Sequence, residues 1–159
     1  MENIKGQKNN YVLNFLLKNV KNTSLMSDLG LDNTLLNTLI FLEREGKPLG
    51  DSLTISYIQK FYLLGLSFSE IGVIKGISED GIRYNIKTLY DKKEWAQIKY
   101  IHSNSRKDLK NKIMYLDLKP LVDNKGLAVI GDKLGYSVSY FERFWTELES
   151  KYGVIFIEG

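Results

Sequence analysis

Apolar residues recur at helical spacing along most of the chain, and the pattern is clearest in its middle. Ile71 and Ile74 share one face of a short helix opening near Ser69. Ile82, Ile86 and Leu89 repeat at i, i+4 and i+7, which predicts a second helix with a buried stripe. Gly76 falls where the chain must reverse between them, and glycine accepts the left-handed backbone that ends a helix. Ser78 is placed to cap the second helix, with Glu79 and Asp80 in its first turn, where negative charge suits the helix dipole. Ile55, Ile58, Phe61 and Tyr62 predict a preceding helix that closes a three-helix core.

The same pattern returns elsewhere. Fifty-nine residues on from Gly76-Ile77-Ser78 stands Gly135-Tyr136-Ser137, with Ile130 and Gly131 matching Ile71 and Gly72, and Phe141, Trp145 and Leu148 matching the stripe. Leu134 occupies the place of Lys75, so looser packing is expected where the lysine stands. Forty-six residues earlier, Leu29-Gly30-Leu31-Asp32 fills the turn and cap. Leu25, Leu29, Leu36 and Ile40 flank it, the register slips from Glu43 to Leu42, and Tyr11, Leu13, Phe15, Leu16 and Leu17 supply a first helix.

These patterns predict an all-α fold of tandem small trihelical units, with a short β segment at Val154-Ile155-Phe156-Ile157. The expected segments are a unit over 1–50, a central unit over 51–101, a basic connector with a helix over 102–125, and a last unit over 126–159. Gly46-Lys47-Pro48-Leu49-Gly50 is the clearest break, His102-Ser103-Asn104-Ser105 is expected to be a loop, and Trp95, Ile98 and Ile101 would extend the central unit by one helix.

Gly65 to Leu89 resembles the helix-turn-helix of LuxR-type regulators and of the promoter-reading domain of bacterial sigma factors. The resemblance is carried by Glu70-Ile71-Gly72, Gly76-Ile77-Ser78 and Ile82. Leu148-Glu149-Ser150-Lys151-Tyr152-Gly153-Val154 is similar to the end of the DNA-binding helix in LysR-type regulators, and Glu43-Arg44-Glu45-Gly46 to the recognition-helix exit of winged-helix regulators. The resemblance implies a bacterial, phage or plasmid DNA-binding regulator.

Composition narrows the field. The chain has 159 residues, 43% apolar content and no cysteine, which excludes disulfides and thiolate metal sites. No apolar run approaches the roughly 18 residues of a membrane span, so the cytoplasm is the expected location and no membrane partner is expected. The net charge of +3 is mild but uneven. Residues 1–50 and 51–100 are each +1, residues 101–126 are +3 (six basic, three acidic), and residues 127–159 are −2 (three basic, five acidic).

A helix-turn-helix reads bases from the start of its second helix, while cations and hydroxyls hold phosphates. The expected DNA-contacting residues are therefore Ser78, Glu79, Asp80, Arg83, Tyr84 and Lys87 in the central unit, with Arg83 foremost because arginine pairs bidentately with guanine. Ser137, Ser139, Tyr140 and Arg143 follow in the last unit, alongside Val138 and Glu142, and Asn33, Thr34 and Asn37 in the first, alongside Asp32 and Thr38. Arg106, Lys107 and Lys110 on the connector are expected phosphate contacts. An enzyme is not expected: there is one histidine, His102, no glycine-rich phosphate loop after a strand, no metal cluster and no implied cofactor. Two functions fit. One is a sequence-specific regulator of transcription that binds double-stranded DNA, with a second copy of the chain as a partner; the other is an interaction module for RNA polymerase or another regulator. No separate ligand-binding domain is evident.

Overall fold

The computed structural model describes residues 10–156, and among them the fold is all-α, with no strand. In chain order the helices are α1 (Tyr11–Lys18), α2 (Thr23–Asp28), α3 (Asn33–Glu45), α4 (Ile55–Leu64), α5 (Phe68–Lys75), α6 (Glu79–Lys87), α7 (Lys92–Lys125), α8 (Leu127–Lys133) and α9 (Val138–Tyr152), with a 3-10 turn at Gly50–Ser52. The contacts define two compact units, Met1–Leu109 and Lys110–Gly159. The expected segments 1–50 and 51–101 both fall in the first unit, and 126–159 falls in the second.

In the first unit α1 packs on α3, α3 on α4, and α4, α5 and α6 pack on one another. Its core is built from Leu13, Leu16, Met26, Leu39, Leu53, Ile58, Phe61, Leu66, Ile71, Ile74, Ile82 and Ile86, all essentially inaccessible to solvent. The second unit closes α8 against α9 over Ile130 and Phe141, while Tyr115, Trp145, Leu148 and Tyr152 form a cluster flanked by Leu118, Phe144 and Phe156. Tyr115 donates to Glu149 at 3.3 Å, and Lys119 reaches the same Oε2 at 3.2 Å.

Four corners are turned by one device. At Gly30-Leu31-Asp32, Gly65-Leu66-Ser67, Gly76-Ile77-Ser78 and Gly135-Tyr136-Ser137 the glycine has positive φ. The next residue's N–H then bonds the carbonyl five back: Leu31 to Met26 (3.1 Å), Leu66 to Phe61 (3.0 Å), Ile77 to Gly72 (3.1 Å) and Tyr136 to Gly131 (2.9 Å). The third residue's side chain accepts from the backbone three residues on, at Leu35, Glu70, Gly81 and Tyr140 respectively. Orphan groups at both helix ends are thus satisfied within three residues of chain. The corner at residues 65–67 is the one not anticipated from the repeat, and it makes Ser67, rather than the neighbourhood of Ser69, the opening of α5.

Several local expectations are corrected. His102-Ser103-Asn104-Ser105 is not a loop but part of α7, a helix of 34 residues that also contains the expected connector helix and Pro120. Leu89 is 44% exposed, because α6 ends at Lys87 and the i+7 position lies beyond it. Leu134 is likewise exposed, whereas Lys75 at the matching place donates to the carbonyls of Gly50 and Leu53 at 3.0 and 3.1 Å. The lysine therefore joins α5 to the 3-10 turn instead of weakening the pair. Ile55 and Ile101 are exposed where burial was expected. Val154 and Ile155 form a turn and Phe156 a bend, not a strand; Ile157 lies outside the described residues.

Candidate nucleic-acid interface

The turn between α5 and α6 leaves no room for side chains at its glycines. A Cβ on Gly72 would stand 2.6 Å from the carbonyl oxygen of Ile77, and one on Gly76 would stand 2.8 Å from Cβ of Pro48. The backbone of the turn is thereby drawn against the end of α5. With Ile82 and Ile86 buried and Ser78 capping, α6 turns Glu79, Asp80, Arg83, Tyr84 and Lys87 to solvent. Tyr84 is 69% exposed. Arg83 donates to Asp80 at 2.8 Å, and its guanidinium lies 5.1 Å from the Phe68 ring centroid. Both members of that pair are open to water, so the pairing is weak and can exchange for another anion.

Behind Arg83 runs a stack of rings. Phe68 stacks on Tyr62 (5.1 Å, 9°), and Tyr62 stacks on His102 (3.9 Å, 4°) and on Trp95 (6.1 Å, 17°). Burial pushes the Tyr62 hydroxyl up to about 12, against the smaller opposing pull of Arg83. Burial also lowers the pKa of His102, which favours the neutral ring, and its Nε2 lies 2.8 Å from the carbonyl of Leu66. A carbonyl can only accept, so Nε2 carries the proton. His102 is a structural residue here.

Arg106 is placed differently from the expected phosphate contact. Its Nη1 donates to Glu70 Oε1 at 2.7 Å and to the Gly65 carbonyl at 2.9 Å. Glu70 is fully buried, and its carboxylate also accepts from Ser67 N (2.8 Å) and Leu13 N (2.9 Å). Arg106 thus serves the interior of the first unit. Lys107 and Lys110 are exposed.

The other candidates divide. Asn33 and Asn37 are exposed on α3 and Thr34 is half-buried, while Thr38 is buried and donates to the Thr34 carbonyl at 2.9 Å. Asp32 caps α3 and pairs with Lys60 at 3.2 Å; the backbone bond from Leu35 is the main reason its pKa is lowered. Ser137, Val138, Ser139, Tyr140, Glu142 and Arg143 are all exposed at the start of α9. Missing from the sequence reading is a surface groove of about 750 Å³ where the end of α6 meets the start of α7, lined by Tyr84, Lys87, Tyr90, Lys92, Trp95 and Lys99 among others. The alternation of aromatic and lysine over residues 84–99 was its available signal.

Comparison with protein-family models, with curated proteins and with solved structures gives no match for this chain. Among the described residues no helix is long and apolar enough to cross a membrane, and no group of three or more His, Asp or Glu is placed to hold a metal ion.

Proposed function

We propose that the chain is a sequence-specific regulator of transcription, acting without catalysis in the cytoplasm, that binds double-stranded DNA with α6 in the major groove. The observation that carries this reading is the division of α6. Ile82 and Ile86 anchor one side in the core, and Arg83, Tyr84 and Lys87 stand free of it on the other. Arg83 is the base reader, because its fork matches the acceptor edge of guanine; Lys87 and the exposed Lys107 meet phosphates. Glu79 and Asp80 complement the helix dipole.

Selection of bound sequences from random duplex DNA, followed by anisotropy titration, tests the reading. Enrichment of a defined site whose affinity falls steeply with salt is the expected result. Failure to enrich any sequence above a weak nonspecific background overturns it.

A second reading, an interaction module for RNA polymerase or another regulator, is favoured by a different observation. Val129, Leu134, Tyr136, Val138 and Tyr140 are all exposed around the α8–α9 corner, in a segment of net negative charge. Recovery of a stoichiometric protein partner from nuclease-treated extract, lost on Tyr140→Ala, would favour it over DNA reading.

A further inference from the structure

The groove at the junction of α6 and α7 combines three features: its size, its aromatic lining and its cations. Its volume of about 750 Å³ lies within the size range of small-molecule sites. Three of its lining residues are aromatic, and two of these are held in place from behind. Tyr90 stacks on Trp95 at 6.4 Å and accepts a hydrogen bond from Gln59, while Trp95, 8% exposed, is backed by Tyr62. Tyr84 stands largely free, able to lie against a bound ring. Around these rings are Lys87, Lys92 and Lys99, the last with its Nζ 5.8 Å from the Trp95 centroid. One acidic residue, Asp91, also lines the groove; it caps α7 by accepting from Glu94 N at 2.8 Å, and the lining as a whole sets three lysines against this one carboxylate. The cleft thus offers aromatic surface ringed by cations, the complement of a planar ring that carries several negative charges.

We propose that this groove binds a nucleoside phosphate, with the base against Tyr84 and the Tyr90–Trp95 wall and the phosphates among Lys87, Lys92 and Lys99. The site is confined to residues 84–99 of the first unit and shares Tyr84 and Lys87 with the proposed duplex-reading face of α6, whereas Tyr90, Lys92, Trp95 and Lys99 belong to the groove and not to that face. Its size favours a single nucleotide over an extended strand.

The test is calorimetric titration of the full chain, without DNA, with the four common nucleoside monophosphates and triphosphates. Adenosine and inorganic phosphate probe the two halves of the ligand, and phenylacetate is an aromatic anion lacking both. At least one nucleotide is expected to bind with one-to-one stoichiometry below millimolar concentration. Each half and phenylacetate should bind at least about tenfold more weakly, since ring and phosphate contacts contribute together. Tyr84→Ala and Lys99→Glu, both at exposed positions, should each weaken nucleotide binding about tenfold or more while leaving the circular dichroism spectrum unchanged. Absence of nucleotide binding, equal binding of phosphate or phenylacetate, or unchanged affinity in both variants would overturn the proposal. So would binding of a single-stranded oligonucleotide when no mononucleotide binds.

Discussion

Glu70 and Arg106 meet at 2.7 Å across 36 residues of chain, the carboxylate fully buried and the guanidinium largely so. One carboxylate holds three elements together: α1 through Leu13 N, its own helix α5 through Ser67 N, and α7 through Arg106. Such a pair is worth little against an apolar replacement, but losing Arg106 leaves a buried carboxylate with no countercharge and only the two backbone N–H bonds from Leu13 and Ser67. Arg106→Ala is therefore expected to lower the unfolding free energy by about 3 kcal/mol or more, measured by urea denaturation. The double variant Glu70→Gln with Arg106→Met should recover part of the loss. Additive losses in the double variant would show that the charges do not depend on each other.

Steric closeness at the α5–α6 turn makes a second prediction. Gly72→Ala places a methyl against the Ile77 carbonyl and should cost about 1–3 kcal/mol. Gly135→Ala meets no atom within 4 Å and carries only the left-handed backbone penalty, about 1–2 kcal/mol. Thermal midpoints of the two variants rank them, and a harmless Gly72→Ala would show that the turn relaxes.

His102 should make stability depend on pH. Burial holds its folded-state pKa below the ordinary value of 6.5, so the unfolded chain binds its proton first as pH falls. Its contribution is complete above about pH 6.5 and declines below that value until the folded-state pKa is passed. Urea midpoints taken between pH 7.5 and 5.5 should fall. His102→Gln should flatten the slope in this window, where carboxylates remain ionised.

For the duplex-reading role, Lys87→Ala and Arg83→Ala should separate. Removing one phosphate contact at Lys87 is expected to weaken all duplexes alike and reduce the slope of log affinity against log salt by about one. Arg83→Ala should cost about 1–3 kcal/mol on the selected site and little elsewhere. Equal losses on selected and random duplexes would remove Arg83 from base reading.

Three of the four helix corners, at residues 30–32, 76–78 and 135–137, were legible because their requirements are local: a glycine for the left-handed backbone and a short oxygen-bearing side chain two residues later. The buried face of α9 followed from spacing alone, with Phe141, Trp145 and Leu148 all in the core, as did Ile82 and Ile86 of α6 though not Leu89. What escaped was set by partners distant in sequence. Ser103, Asn104 and Ser105 are weak helix formers and read as a loop. In the fold, His102 and Arg106, four apart on one face of α7, bond the carbonyls of Leu66 and Gly65 just beyond α4, and that anchoring overrides propensity. The same remoteness hid Arg106, whose surroundings in sequence suggest a solvated cation. It also hid the ring partners of Trp95, since Tyr62 and Tyr90 come from outside its helix.

The four glycine corners also bear on how this sequence can vary over time. Each is clamped on both sides, by a carbonyl bond that counts back five residues and a cap that counts forward three. Deleting a corner residue, or adding one between the glycine and its successor, breaks one count or the other. Insertions and deletions among descendants of this chain should therefore collect outside residues 30–32, 65–67, 76–78 and 135–137, leaving the spacing of these tripeptides as its most durable signature.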